Sequence, residues 1–177
     1  LTPLSATRGA PLAAALKRIR ERENLKDDAE VDRWVTAFWQ SAFGQRVAAA
    51  GPSVQREASF VLSLKSRQPV TLLLRGQIDL LFADGAEAFL IDYKTTHSTS
   101  AGLEPYAFQL SSYALAAHRL LPPGVQLKAG ISFLKDADPT PHFLPTLTDE
   151  TALSEHLTSL ATNLMRSQAA HDWPGRS

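Results

Sequence analysis

The stretch VTLLLRGQIDLLFADGAEAFLIDYKTT, Val70 to Thr96, decides the fold. It reads as two strands, Val70 to Ala83 and Ala88 to Tyr93, joined at Asp84-Gly85, a dipeptide that favours hairpin turns. The first strand is apolar but carries a carboxylate, Asp79, three residues after Gly76. The second is apolar through Phe89, Leu90 and Ile91 and then ends in Asp92-Tyr93-Lys94. Counting back from the turn sets Asp79 and Asp92 roughly opposite each other. Asp92 and Lys94 share parity, so their side chains leave one face of the sheet. Two carboxylates side by side repel each other. A divalent cation that prefers oxygen ligands, Mg²⁺ or Mn²⁺, resolves that conflict. A lysine beside it is suited to hold a water and offset charge at a phosphate. Taken alone, Asp-x-Lys at a strand end reads as an ordinary ion pair; the second carboxylate, Asp79, is what brings the metal reading level with it.

The flanking sequence supplies the rest of the architecture. Leu12 to Asn24 is rich in helix formers. Asp27 or Asp28 caps a second helix, with Val31, Trp34, Val35, Phe38, Trp39 and Phe43 at helical spacing and an end near Gly44 or at Ala50. Gln55 to Lys65 reads as the strand before the hairpin. Thr95 to Gly102 is a polar loop. Pro105 suits the first turn of a helix running to about Leu121. Val125 to Leu134 is a strand, Phe143 to Leu147 a short one, and Glu150 to about Ala170 a last helix after the cap Asp149. The order predicts an α/β fold with a mixed sheet, an antiparallel meander flanked by helices.

Composition narrows the function classes. The chain has 177 residues, 44% hydrophobic and 20% charged, which is enough for one domain with a real core. No apolar run approaches the roughly 20 residues of a membrane span, and none reads as a signal peptide. Absence of cysteine rules out disulfides and thiolate metal sites, and fits a reducing, cytoplasmic setting. Lys+Arg and Asp+Glu balance at 18 each, so net charge gives nucleic-acid binding no support of its own. The chain starts at Leu1 without a Met, and is expected to be a single domain, residues 1–177, excerpted from something longer.

The three pieces GQID, LIDYKTT and FQLSSYA occur in that order. Gln109 and Tyr113 of the last are i and i+4, on one helix face. Together they resemble the nuclease domain of the RecB and AddA helicase–nucleases, within the PD-(D/E)XK superfamily. The matching residues are Gly76 and Asp79, then Asp92, Tyr93, Lys94 and Thr95, then Gln109 and Tyr113, over a core of about residues 56 to 121. Glu57 sits where that family has an acidic residue on the preceding strand. Its other reading is an exposed edge-strand glutamate.

The resemblance implies a restriction-endonuclease-like core and a metal-dependent deoxyribonuclease, exonuclease-type, active in DNA recombination and repair. It implies Mg²⁺ or Mn²⁺ on Asp79, Asp92 and the Tyr93 carbonyl, with Glu57 helping. Lys94 would act on the attacking water. Gln109, Tyr113 and Thr95 would contact DNA or hold Lys94. The partners implied are single- or double-stranded DNA and a helicase, in the same chain or a separate one. No Walker-type motif occurs in this segment, and no cysteine for an iron–sulfur cluster. One departure stands out: Ala13 falls near the position where family members often carry a histidine. It motivates the alternative of a DNA-binding scaffold that kept the fold without the activity.

Other residues keep two readings. His97, in the loop past the motif, is a plain loop histidine or a contact to a phosphate. The mixed-charge run from Lys17 to Asp28 is a solvated helix face, or offers Arg18, Arg20 or Arg22 to a DNA backbone. Trp34, Phe38 and Trp39 are read as core in preference to base-stacking platforms.

Overall fold

The computed structural model describes residues 10–24, 26, 28–65, 71–145, 151, 153–159 and 162–163. Helices α1 (Ala10–Glu23), α2 (Ala29–Gln40) and α3 (Ala42–Ala50) lead into the meander β1 (Gln55–Lys65), β2 (Thr71–Asp84) and β3 (Glu87–Lys94). A 3₁₀ turn, Glu104–Tyr106, with Pro105 in its first turn, opens α4 (Ala107–His118), and β4 (Gln126–Phe133) and β5 (His142–Phe143) follow. Residues 153–159 are helical; the remainder of the predicted last helix lies largely outside the described residues, as does the strand prediction beyond Pro145.

Among the described residues the five strands form one sheet in the order β1-β2-β3-β4-β5. β3 and β4 are parallel and the other neighbours antiparallel. A parallel pair cannot be joined by a tight turn, and here α4 provides the crossover. At the hairpin, Asp84 pairs with Glu87 and Gly85 has φ 64, which a residue with a side chain adopts at a cost.

The helix predicted over the first apolar stripe is two helices. The stripe is continuous in apolarity, but Ser41 is extended (φ −64, ψ 157) and serves both ends of the break. Its hydroxyl donates to Phe38 O (2.7 Å) and accepts from the Gly44 N–H (3.0 Å), an N-cap for α3. A methyl group at Gly44 would stand 2.0 Å from Phe38 O, so the corner needs glycine.

Each face of the sheet has its own core. On one, α4 contributes Leu110, Ala114, Leu115 and Ala117 against Leu62, Leu64, Ile78, Leu90 and Ile131. On the other, Phe38, Phe43 and Val47 of α2 and α3 cover Leu80, Phe82, Phe89 and Ile91. Phe82 and Phe89 stack across the hairpin at 5.2 Å, and Phe43 meets each edge-on at 5.8 and 5.7 Å.

Strict alternation along β2 fails at one place. Ile78 packs on the α4 side and Leu80 on the opposite side, although they are two residues apart. The break falls at Asp79. Its position in the register, between the pairs Arg56–Leu80 and Ala58–Ile78, is shared by Glu57, whose φ is 53. The meander therefore bends at the pair of acidic residues.

Candidate active site

Asp92 is where burial and charge collide. It lies near the end of β3, between apolar neighbours on a sheet face roofed by α4, and is only 4% exposed. Burial pushes its carboxyl above the usual carboxylate range, and the charge of Asp79 adds to that. Lys94 and Gln109 pull the other way. Lys94 Nζ is 2.6 Å from Asp92 Oδ2. Gln109 Nε2 donates to Asp92 Oδ1 at 2.8 Å and to Tyr113 Oη at 3.0 Å, while Gln109 Oε1 accepts from Lys94 Nζ at 3.2 Å. One amide from the helix thus holds both the carboxylate and the lysine of the strand. The Lys94 ammonium also lies 5.1 Å from the Tyr106 ring centre, a cation–π contact that helps to fix it.

Asp79 approaches from β2. The β2–β3 ladder runs to Leu80–Ile91, and the next step of that register sets Asp79 against Asp92. There the side chain takes over from the backbone: Asp79 Oδ2 accepts the Tyr93 N–H at 2.9 Å. The Tyr93 ring faces away, edge-on to Phe38 at 5.3 Å, and burial pushes its phenol far up, so it stays neutral.

Gly76 has a physical reason in this site. A Cβ there would come within 2.7 Å of the Phe60 ring and 2.9 Å of the Tyr113 ring. Phe60 is its partner on β1, and the Phe60 and Tyr113 rings meet edge-on at 5.4 Å. Bare backbone at Gly76 lets Tyr113 reach the sheet, and Tyr113 in turn backs Gln109.

The structure thus gathers Asp79, Asp92, Lys94, Gln109 and Tyr113. Glu57 lies opposite Asp79 by register, exposed and in the left-handed region, and Gln77 Nε2 donates to its carbonyl at 3.2 Å. Among the described residues no group of three or more His, Cys, Asp or Glu side chains is gathered as a metal cage. Thr95 is exposed at the start of the loop, and Ala13 is exposed on α1. Phe60, Tyr106 and the pairing of His97 with Asp136 were not legible beforehand. The register of β1 on β2 would have singled out Phe60, through its place opposite Gly76.

The donor set suits a hard divalent cation. Asp92 Oδ2 is buried with the Lys94 ammonium 2.6 Å away, and a carboxylate oxygen so paired keeps a second lone pair for a ligand. With Asp79 on the neighbouring strand, the two carboxylates offer oxygen ligands.

Comparison with known proteins bears on the family and on the fold. In an alignment of 99 positions that covers 49% of this chain, it is 32% identical to an ATP-dependent helicase/nuclease subunit from Desulforamulus reducens, and it spans 8% of that relative. Its fold matches the crystal structure of a candidate exonuclease from Eubacterium rectale with a TM-score of 0.51 at 10% identity, covering 93% of this chain and 66% of the other. With the family model matching residues 3–176, the chain belongs to the PD-(D/E)XK nuclease superfamily.

Proposed function

We propose that this domain is a Mg²⁺- or Mn²⁺-dependent deoxyribonuclease, exonuclease-type, that hydrolyses phosphodiester bonds during DNA end processing in recombination and repair. The observation that carries the reading is the buried Asp92 Oδ2, paired with Lys94 at 2.6 Å and facing Asp79 by register. Asp79, Asp92 and the Tyr93 carbonyl would hold the cation, with Glu57 beside them. When bound, it would supply Lewis-acid activation of water and of the phosphoryl oxygens.

The remaining work falls to the chain itself. Lys94, steadied by Gln109 Oε1 and the Tyr106 ring, orients the attacking water and offsets charge on the phosphate. Gln109, fixed by Tyr113, keeps Lys94 and Asp92 in register with each other. Thr95, exposed beside them, contacts the DNA backbone. The larger protein would couple this domain to a helicase, as the name of the Desulforamulus relative suggests. Among the described residues no helix is long and apolar enough to cross a membrane, and the reading puts the domain in the bacterial cytoplasm.

End-labelled single- and double-stranded DNA, incubated with Mg²⁺ and resolved by length, tests the activity and its mode. Successive shortening from an end is expected. Calorimetry with Mn²⁺ tests the rival scaffold reading that Ala13 motivates: heat of binding that disappears in the Asp79→Asn, Asp92→Asn double variant supports the nuclease. No binding at millimolar Mn²⁺ supports the scaffold.

A further inference from the structure

His97 lies three residues beyond Lys94, in the loop that leaves β3. Its Nδ1 is 3.1 Å from Asp136 Oδ1, and the same oxygen accepts the Ser98 N–H at 3.1 Å. Asp136 sits on the loop that leaves β4, where its own N–H donates to Phe133 O at 3.1 Å. β3 and β4 run parallel, with Lys94 paired to Phe133, and the Leu134 N–H donates to Lys94 O at 2.9 Å. Both loops therefore leave the sheet at the end that carries Lys94. The Asp136 side chain is 18% exposed and that of His97 is 71% exposed.

A carboxylate on Nδ1 takes the Nδ1–H and fixes the ring orientation, so that Nε2 is the second donor of the imidazolium. Burial pushes the Asp136 carboxyl up, but its bonds from Ser98 and its pairing with His97 outweigh this and hold it below the usual range. Such an exposed pair adds little to stability, and the Ser98 N–H already ties the two loops together. The clamp's effect is on where the ring sits, with Nε2 left toward solvent. Other charged groups nearby in sequence on the two loops are otherwise engaged. Lys135 lies over the Trp34 ring at 4.8 Å and near Glu30, and Asp138 accepts from Thr140. Glu104, on the turn before α4, is exposed, and Lys94 is paired with Asp92.

We propose that His97, clamped by Asp136, forms a phosphate-binding site in which its Nε2–H donates to a phosphate oxygen of a nucleic-acid strand entering the site. The proposal rests on the nuclease reading for the identity of the ligand. It makes His97 a substrate-contacting residue and Asp136 a positioning residue.

The test is fluorescence anisotropy with a labelled oligothymidylate of about eight nucleotides. EDTA prevents cleavage, and the two pH values, about 5 and about 8.5, lie on either side of the histidine range. His97→Gln should weaken binding about tenfold at the lower pH, as expected for one lost charged hydrogen bond, and change it little at the higher. His97→Lys should bind at both, and Asp136→Asn should weaken binding at the lower pH in the same direction as His97→Gln. Equal binding by wild type and His97→Gln at the lower pH overturns the proposal, as does absence of binding by wild type. Binding through His97 without cleavage in Mg²⁺ leaves this site standing and removes the nuclease reading. Cleavage with no effect of His97→Gln does the reverse.

Discussion

Gln109 of α4 and Asp92 of β3 are joined by a 2.8 Å hydrogen bond across the helix–sheet interface, and the same amide holds Lys94 through its oxygen. The geometry of strand and helix is thereby one object. Gln109→Ala leaves Asp92 Oδ1 without this donor and Lys94 without this acceptor. It should cost about 1 to 3 kcal/mol of stability, read by urea unfolding, and lower the cleavage rate at saturating DNA more than it raises KM. Gln109→Glu adds a negative charge beside Asp92 and should be worse for both.

Gly76 acts through Tyr113. Gly76→Ala drives a methyl group against the Phe60 and Tyr113 rings. The expected loss is about 1 to 3 kcal/mol, typical of overpacking, with a fall in cleavage as Tyr113 shifts from Gln109. Adding Phe60→Leu makes room, and the double variant should recover stability in thermal melts.

The pH dependence of stability reports on Asp92. Its folded pKa is raised by burial, so its contribution to stability is fully present below the ordinary carboxylate pKa and is lost as pH rises through the raised value. Wild type should therefore lose stability relative to Asp92→Asn as pH climbs from about 4 to about 7, measured by chemical denaturation at each pH. A stability difference that stays flat over that range would mean that Asp92 titrates normally.

Glu57 carries backbone strain at φ 53. Glu57→Gly relieves it and Glu57→Ala does not, so the glycine variant should be the more stable of the two by about 1 kcal/mol. Both should cut DNA more slowly than wild type if the carboxylate assists there. Equal stability of the two variants in urea would show that the left-handed conformation is not held in solution.

How much of this was legible in the sequence depended on the range of the interaction. The hairpin was legible because Asp84-Gly85 and two apolar runs are local signals, and they put Asp79 against Asp92. Gln109 and Tyr113 on one face followed from their spacing. The break at Ser41 was not legible, because the apolar stripe runs on through it and the cause is a cap hydroxyl with a close approach at Gly44. Nor was the change of face at Asp79, since alternation is a rule for flat strands and this meander bends. The Asp136 contact to His97 joins positions 39 residues apart and needs the parallel register of β3 on β4.

Asp79, Asp92 and Lys94 are proposed to form one hydrolytic centre. Its most direct measurement is Mg²⁺-dependent cleavage of labelled DNA by wild type beside Asp79→Ala and Lys94→Ala, with folding checked by circular dichroism. Wild type should cut, and each folded variant should have lost at least about two orders of magnitude in rate, the scale of removing a principal transition-state contact. Full activity in either folded variant would contradict it.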